Sequence, residues 1–205
     1  MKHKTAFKSI VLSIALSILL ITTAVFFARH HNSIPSINTN FLQQKITEPE
    51  GPSPQIVQSA RNQIGKTLRY DPAYTKLKYP MGDVPMEKGV CTDVVIRALR
   101  DQNIDLQELV HQDMSRNFSV YPKRWGLKQP DTNIDHRRVP NLMTYFTRQG
   151  WAVRDTNYQA GDIVTWELKG NRPHIGIASD RKIDDRPLII HNIGSGTRED
   201  DVLYR

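Results

Sequence analysis

The sequence predicts an α+β fold on three observations. Apolar residues recur at helical spacing through the first half of the folded region, strand-like alternation takes over after Gly150, and the helices precede antiparallel strands. The 205 residues suffice for one domain of ordinary size plus an appendage. An apolar fraction of 39% and a charged fraction of 24% exclude whole-chain disorder, collagen and coiled coil.

The appendage comes first. Residues 9–28 carry no charge, are rich in Ile, Leu, Val and Ala, and follow a short basic segment. The run is long enough to span a bilayer. Residues 1–30 read as a signal anchor or a signal peptide, the anchor being favoured because the best cleavage site, Thr22-Thr23-Ala24, lies inside the apolar stretch. Lys2, Lys4 and Lys8 would stay in the cytoplasm and place the rest of the chain on the periplasmic side of a bacterial inner membrane. A buried core helix fits less well, because a terminal helix that is apolar all round has little to bury against. Residues 31–54, dominated by Asn, Ser, Thr, Gln and Pro, read as a linker with little regular structure, and residues 55–205 as the folded domain.

The net charge of +7 invites a nucleic-acid reading, but Lys2, Lys4, Lys8 and Arg29 supply four of those charges within the anchor segment. No basic stripe with interleaved aromatics stands out beyond it, so no nucleic-acid partner is expected.

Ile56, Val57, Ala60 and Ile64 predict a first helix over 54–64, stopped by Gly65. Residues 66–90 form a long loop with Tyr70, Tyr74 and Tyr79, of a length usually found wrapped over a site. Val94, Val95, Ala98 and Leu99 make one apolar stripe with Arg97, Arg100 and Asp101 opposite, a helix beginning near Cys91. Further helices are expected over 105–114 and 140–148, the latter with proline in its first turn and Gly150 past its end. Strands follow at about 151–154, 162–168, 174–179 and 188–193.

The single cysteine, Cys91, excludes an intrachain disulfide and any cluster held by several cysteines. An unpaired thiol in an exported chain is either buried or used. At a helix N-terminus, free N–H groups and the helix dipole would lower its pKa and could hold an oxyanion, while Asp93 would act against this unless paired. A nucleophilic thiol needs a base and an orienting partner, and His111, His136, His174 and His191 are the candidates beyond the linker. Alternation puts His174, Gly176 and Ala178 on one strand face and the two isoleucines between them on the other. With 180–187 as a hairpin loop, residue 176 opposes 191 and His174 becomes a same-face diagonal neighbour of His191. The small residues beside His174 would leave open space for a cleft or for the start of the cysteine helix. The competing reading of Cys91 is a small buried hydrophobe.

A cysteine at a helix start, then Gly161-Asp162-Ile163-Val164, His174-Ile175-Gly176-Ile177 and Ile190-His191, resembles the NlpC-type branch of the papain-like cysteine peptidases and amidases. The domain also closely resembles an uncharacterised bacterial family typified by YijF, through Gly89-Val90-Cys91-Thr92-Asp93, residues 133–140 and Gly161–Trp166. The first resemblance implies a papain-like fold with helices packed on a central antiparallel sheet. It also implies hydrolysis of amide bonds in peptidoglycan stem peptides, with Cys91 as nucleophile, His174 as base, His191 as third member and Tyr70 lining the cleft. No cofactor is implied.

Asp131, Asp135, His136, Arg137 and Arg138 crowd one stretch. Arg137 or Arg138 could bind a peptide carboxylate, or Asp135 and the arginines could simply tie a long loop down. Tyr70, Asp93, Asp135, Arg137 and Arg138 are therefore the candidate substrate-binding residues. Acyl transfer through the same thioester is a second enzymatic reading. A non-catalytic module that holds wall peptides or a protein partner is an alternative of another class. A metal site would have only Cys91 and two histidines, and zinc would need water or Asp93 as a fourth ligand.

Overall fold

A computed structural model describes residues 5–7 and 46–203, so the apolar run read as an anchor and most of the linker lie outside the described residues. Among the described residues, no helix is long and apolar enough to cross a membrane. In chain order the strands are β1 (Thr5–Phe7), β2 (Ile46–Thr47), β3 (Arg69–Tyr70), β4 (Lys88–Gly89), β5 (Ala152–Val153), β6 (Ile163–Leu168), β7 (Arg172–Ile183), β8 (Arg186–Asn192) and β9 (Thr197–Asp200). The helices are α1 (Gln55–Arg61), α2 (Cys91–Arg100), α3 (Leu106–Asn117) and α4 (Val139–Arg148).

Helices before an antiparallel sheet is the α+β arrangement expected. The sheet runs β5-β1-β6-β7-β8-β9, with β2 paired to the far end of β7. Two of its strands come from unexpected places. Thr5–Phe7 falls in the segment read as an export signal and pairs with β5 and β6, and Ile46–Thr47 falls in the segment read as linker. The edge strand β9 also went unread: Thr197-Arg198-Glu199-Asp200 has no apolar alternation to mark it, and backbone pairing with β8 holds it.

Helix starts follow local chemistry. The Asp105 side chain accepts from the Gln107 N–H and caps α3, and proline occupies the first turn of α4. The apolar stripes of α1, α2, α3 and α4 pack with Ile163, Ile175, Ile177 and Ile190 on one sheet face. The other face carries Val164, Trp166, Ala178 and Ile189, covered by Tyr158 and Leu203. The β7 isoleucines therefore meet the helices, and the histidine face turns away from them, which excludes the second of its two expected neighbours, a cleft or the start of the cysteine helix.

Arg97 is a second correction. Expected on the solvent side of α2, it is 5% exposed. Its guanidinium grips the 66–90 loop through Asp83 at 2.8 and 3.1 Å, Thr67 Oγ1 at 3.0 Å, and the Val84 and Lys88 carbonyls at 3.1 Å each. Arg100 adds Asp105 and the Gly82 carbonyl. The loop thus lies closed against α2 because the helix extends two arginines into it.

The β7–β8 hairpin is tighter than expected, turning at Asp184 and Asp185, both at positive φ. A bulge between Ala178 and Lys182 separates this tip from the site end, where Ile177 pairs with Ile190 and Ala178 with Ile189. That pairing is the register read from the sequence. Space beside His174 is absent, however: a Cβ on Gly176 would stand 2.5 Å from Ile189 Cγ2 and 3.0 Å from His191 Cβ. Glycine is required there because the β8 side chains fill the room. Gly176→Ala is expected to lower stability by about 1–3 kcal/mol through overpacking. A chemical-denaturation midpoint equal to that of the parent chain would contradict this.

Candidate functional site

Cys91 occupies the first turn of α2 and is 4% exposed. It lines a cavity of about 400 Å³ whose walls come from distant segments: Tyr70, Pro72 and Tyr74 from the long loop, Trp125, Ile134 and Arg137–Pro140 from the central block, and Pro173 from β7. Burial pushes the thiol up to about 12, against backbone N–H groups of Ile175, Thr92 and Cys91 itself that favour the thiolate. The lowered pKa expected from the helix start is thus overturned. The N–H groups are present, but they cannot offset the loss of water, and Asp93 adds to the upward push.

His174 and His191 are joined by a 3.0 Å contact between His174 Nε2 and His191 Nδ1, as the diagonal register required. Both rings sit edge-on to Trp166, with centroids at 4.7 and 5.6 Å. Burial depresses both imidazoles well below the ordinary histidine value. His191 Nε2 lies 3.6 Å from Asp200 Oδ2, so a carboxylate on β9 stands at the far end of the pair. Nε2 of His174 is engaged, which leaves Nδ1 as the ring nitrogen available to a thiol. Among the described residues, Cys91 Sγ takes its hydrogen bonds from backbone rather than from His174. The Ile175 N–H that favours the thiolate belongs to the residue after His174, so the thiol sits against β7 with the His174 ring on the strand's other face.

Asp93 is paired. Its two oxygens accept from Arg137 Nε and Nη2, each at 2.9 Å, and from the Val90 N–H at 2.6 Å. Burial weakens the charge on Arg137, and the Asp93 hydrogen bonds outweigh this to hold the guanidinium above the ordinary arginine value. The Thr92 hydroxyl donates to the Arg137 carbonyl. Among the described residues Arg137 Nη1 is buried with no partner, a state that costs about 1–3 kcal/mol when nothing compensates. Sequence reasoning had named the residue but had no signal for this orphaned donor.

Of the five candidate substrate-binding residues, Tyr70, Arg137 and Arg138 line the cavity, whereas Asp93 and Asp135 do not. Asp135 accepts from the Asp131 N–H and from Arg138, so it ties the loop. Arg138 lies over the Trp125 ring, 4.1 Å from its centroid. His111 packs against Tyr79, and His136 is buried within the Asp135–Arg137 turn. Among the described residues, no group of three or more His, Cys, Asp or Glu side chains is placed to hold a metal.

Residues 57–205 match the family model described as domain of unknown function DUF1287. The chain is 50% identical over 193 residues to "Uncharacterized protein YijF" of Escherichia coli (strain K12), covering 92% of each chain. No solved structure matches.

Two expectations follow from the neutral, buried site. Alkylation of Cys91 by iodoacetamide should be slow at neutral pH and keep rising through the alkaline range, since thiolate accumulates only toward about 12; a rate that levels off near neutrality would refute the raised thiol. The two histidines are neutral when folded and take up protons when unfolded. They therefore contribute stability above their unfolded value of roughly 6.5 that is lost as pH falls below it. Melting temperature should drop between pH 7 and pH 5, less so in His191→Gln, and equal drops in the two chains would exclude this source.

Proposed function

The chain belongs to the DUF1287 family, and we propose that it is a thiol-dependent hydrolase of amide bonds in peptidoglycan stem peptides, a cell-wall amidase or endopeptidase on a papain-like fold. The observation that carries this reading is a buried thiol at a helix start, open to a cavity and packed near the paired strands β7 and β8, which carry one each of two bonded imidazoles.

In this reading the His174 ring comes round from the far face of β7, and its Nδ1 takes the Cys91 proton as Sγ attacks the amide carbonyl carbon. The oxyanion is held by backbone N–H groups at the start of α2. His174 then returns the proton to the leaving amine, the C–N bond breaks and a thioester remains. Water, deprotonated by the same imidazole, hydrolyses the thioester and restores the thiol. His191 orients His174 through the Nε2–Nδ1 bond. Because the resting thiol is neutral, proton transfer accompanies attack, and a preformed thiolate is not required. In this reading the whole sheet, Thr5–Phe7 included, lies on the periplasmic side of the inner membrane, where the wall peptide is met.

A second reading has a specific observation behind it. A thiol raised to about 12, with backbone N–H groups as its hydrogen-bond donors, also suits a module that binds wall peptides without turnover. Purified sacculi separate the two. Product release by the full chain should fall by at least about a hundredfold in Cys91→Ala and in His174→Ala, the scale of a lost nucleophile or base. Retention of the fold in both variants is read from their circular dichroism. Sacculi left intact by the parent chain, or product at the parent level from Cys91→Ala, would overturn hydrolysis.

A further inference from the structure

We propose that Arg137 is the anion-binding subsite of the thiol cavity, and that it takes a carboxylate of the bound peptide next to Cys91. The choice of a peptide ligand rests on the function proposed above; the subsite itself rests on four observations.

A guanidinium offers five N–H donors in a rigid plane. Asp93 occupies one edge of that plane, through Nε and Nη2, and among the described residues the Nη1 end is left without a partner. The residue is 6% exposed, so this is a buried donor rather than a loose surface group. Arg137 lines the same cavity as Cys91, and the carboxylate it grips also accepts from Val90 N–H, the residue before Cys91. The unspent donor is therefore one carboxylate away from the turn that carries the sulfur.

The remaining walls agree in charge. Among the described residues, the charged side chains lining the cavity are Arg137 and Arg138, and no Asp or Glu lines it. Arg138 is stacked on Trp125 and reaches Asp135 at 3.4 Å, which leaves it at the rim as a weaker second cation. Tyr70, Tyr74, Trp125 and three prolines provide apolar surface around these cations. Such a lining fits a peptide whose carboxylate lies within a residue or two of the amide presented to Cys91, and it disfavours a cationic ligand.

Equilibrium binding to the full-length Cys91→Ala chain tests this without turnover. The probes are acetyl-alanyl-alanine with a free carboxylate and the same peptide as its C-terminal amide, each titrated by NMR. The acid should bind about tenfold or more tightly than the amide, the scale of one charge-assisted hydrogen bond. In Arg137→Lys, which keeps a cation opposite Asp93 but has no Nη1, the two affinities should come within about twofold of each other, while Arg138→Gln should retain most of the preference. Equal affinities in the Cys91→Ala chain, undetectable binding of the acid, or a preference that survives Arg137→Lys would overturn the subsite.

If Arg137→Lys does not fold, protection of the parent chain decides: the acid should slow iodoacetamide modification of Cys91 and the amide should not, and equal protection overturns the proposal. Failure to hydrolyse sacculi with the carboxylate preference intact would sink the hydrolase and leave the subsite standing. Hydrolysis without the preference would do the reverse.

Discussion

The ion pair between Asp93 and Arg137 is the contact on which the site depends. One carboxylate ties the N–H of Val90, the turn carrying Cys91 and the central block into a single unit, and the Thr92 hydroxyl adds a second tie to the Arg137 backbone. Apolar packing alone would hold α2 against the sheet, but it is non-directional and would not set the attitude of the first turn. The pair is almost fully buried, with side chains 2% and 3% exposed, so breaking it by removing one partner costs about 3–5 kcal/mol. It also answers why a carboxylate two residues from the thiol is tolerable: a guanidinium meets most of its charge, and what is left adds to the upward push on the thiol.

Magnitudes decide the electrostatic state of the thiol. A helix N-terminus favours an anion by about 0.3–1 kcal/mol, rising to about 2 in partly buried geometry. Moving a thiol from 9.0 to about 12 corresponds to roughly 4 kcal/mol in the opposite sense. Burial wins, and the same holds for the two imidazoles. The cluster is assembled as three uncharged groups, which is the cheapest way to store ionisable side chains inside a packed domain. Charge then has to be created during reaction, in a cavity whose water a ligand would displace.

Much of this was legible in the sequence, and what was not has identifiable causes. The strict alternation in His174-Ile175-Gly176-Ile177-Ala178 predicts the face of every β7 residue, and a glycine opposite His191 marks the register. The stripe Val94, Val95, Ala98 and Leu99 places α2 with its start at Cys91. Arg97 misled because helical periodicity treats arginine as solvent-facing, whereas tertiary hydrogen bonds from a loop can bury one. Strand β9 escaped because a polar edge strand is held by backbone pairing, which leaves no side-chain pattern. Which face of the sheet meets the helices depends on packing between distant segments, so alternation could separate the two faces but not assign them. The spare donor of Arg137 likewise exists only once the chain has folded around it.

The bulge in β7 acts as a mechanical decoupler. Pairing on the site side runs through Ile177–Ile190 and Ala178–Ile189, while pairing beyond the bulge, through Lys182–Pro187 and Ile183–Arg186, obeys a different offset. Around the bulge, Ser179 and Asp180 gather Arg61, and Glu199 joins them from β9, pinning the irregularity to α1 and to the edge strand. A change of length at the hairpin tip is thus absorbed before it reaches the imidazoles. Within this fold the tip is where loop length is free to vary, and the stretch from Pro173 to Ala178 is where a single inserted residue would exchange the two faces of the sheet.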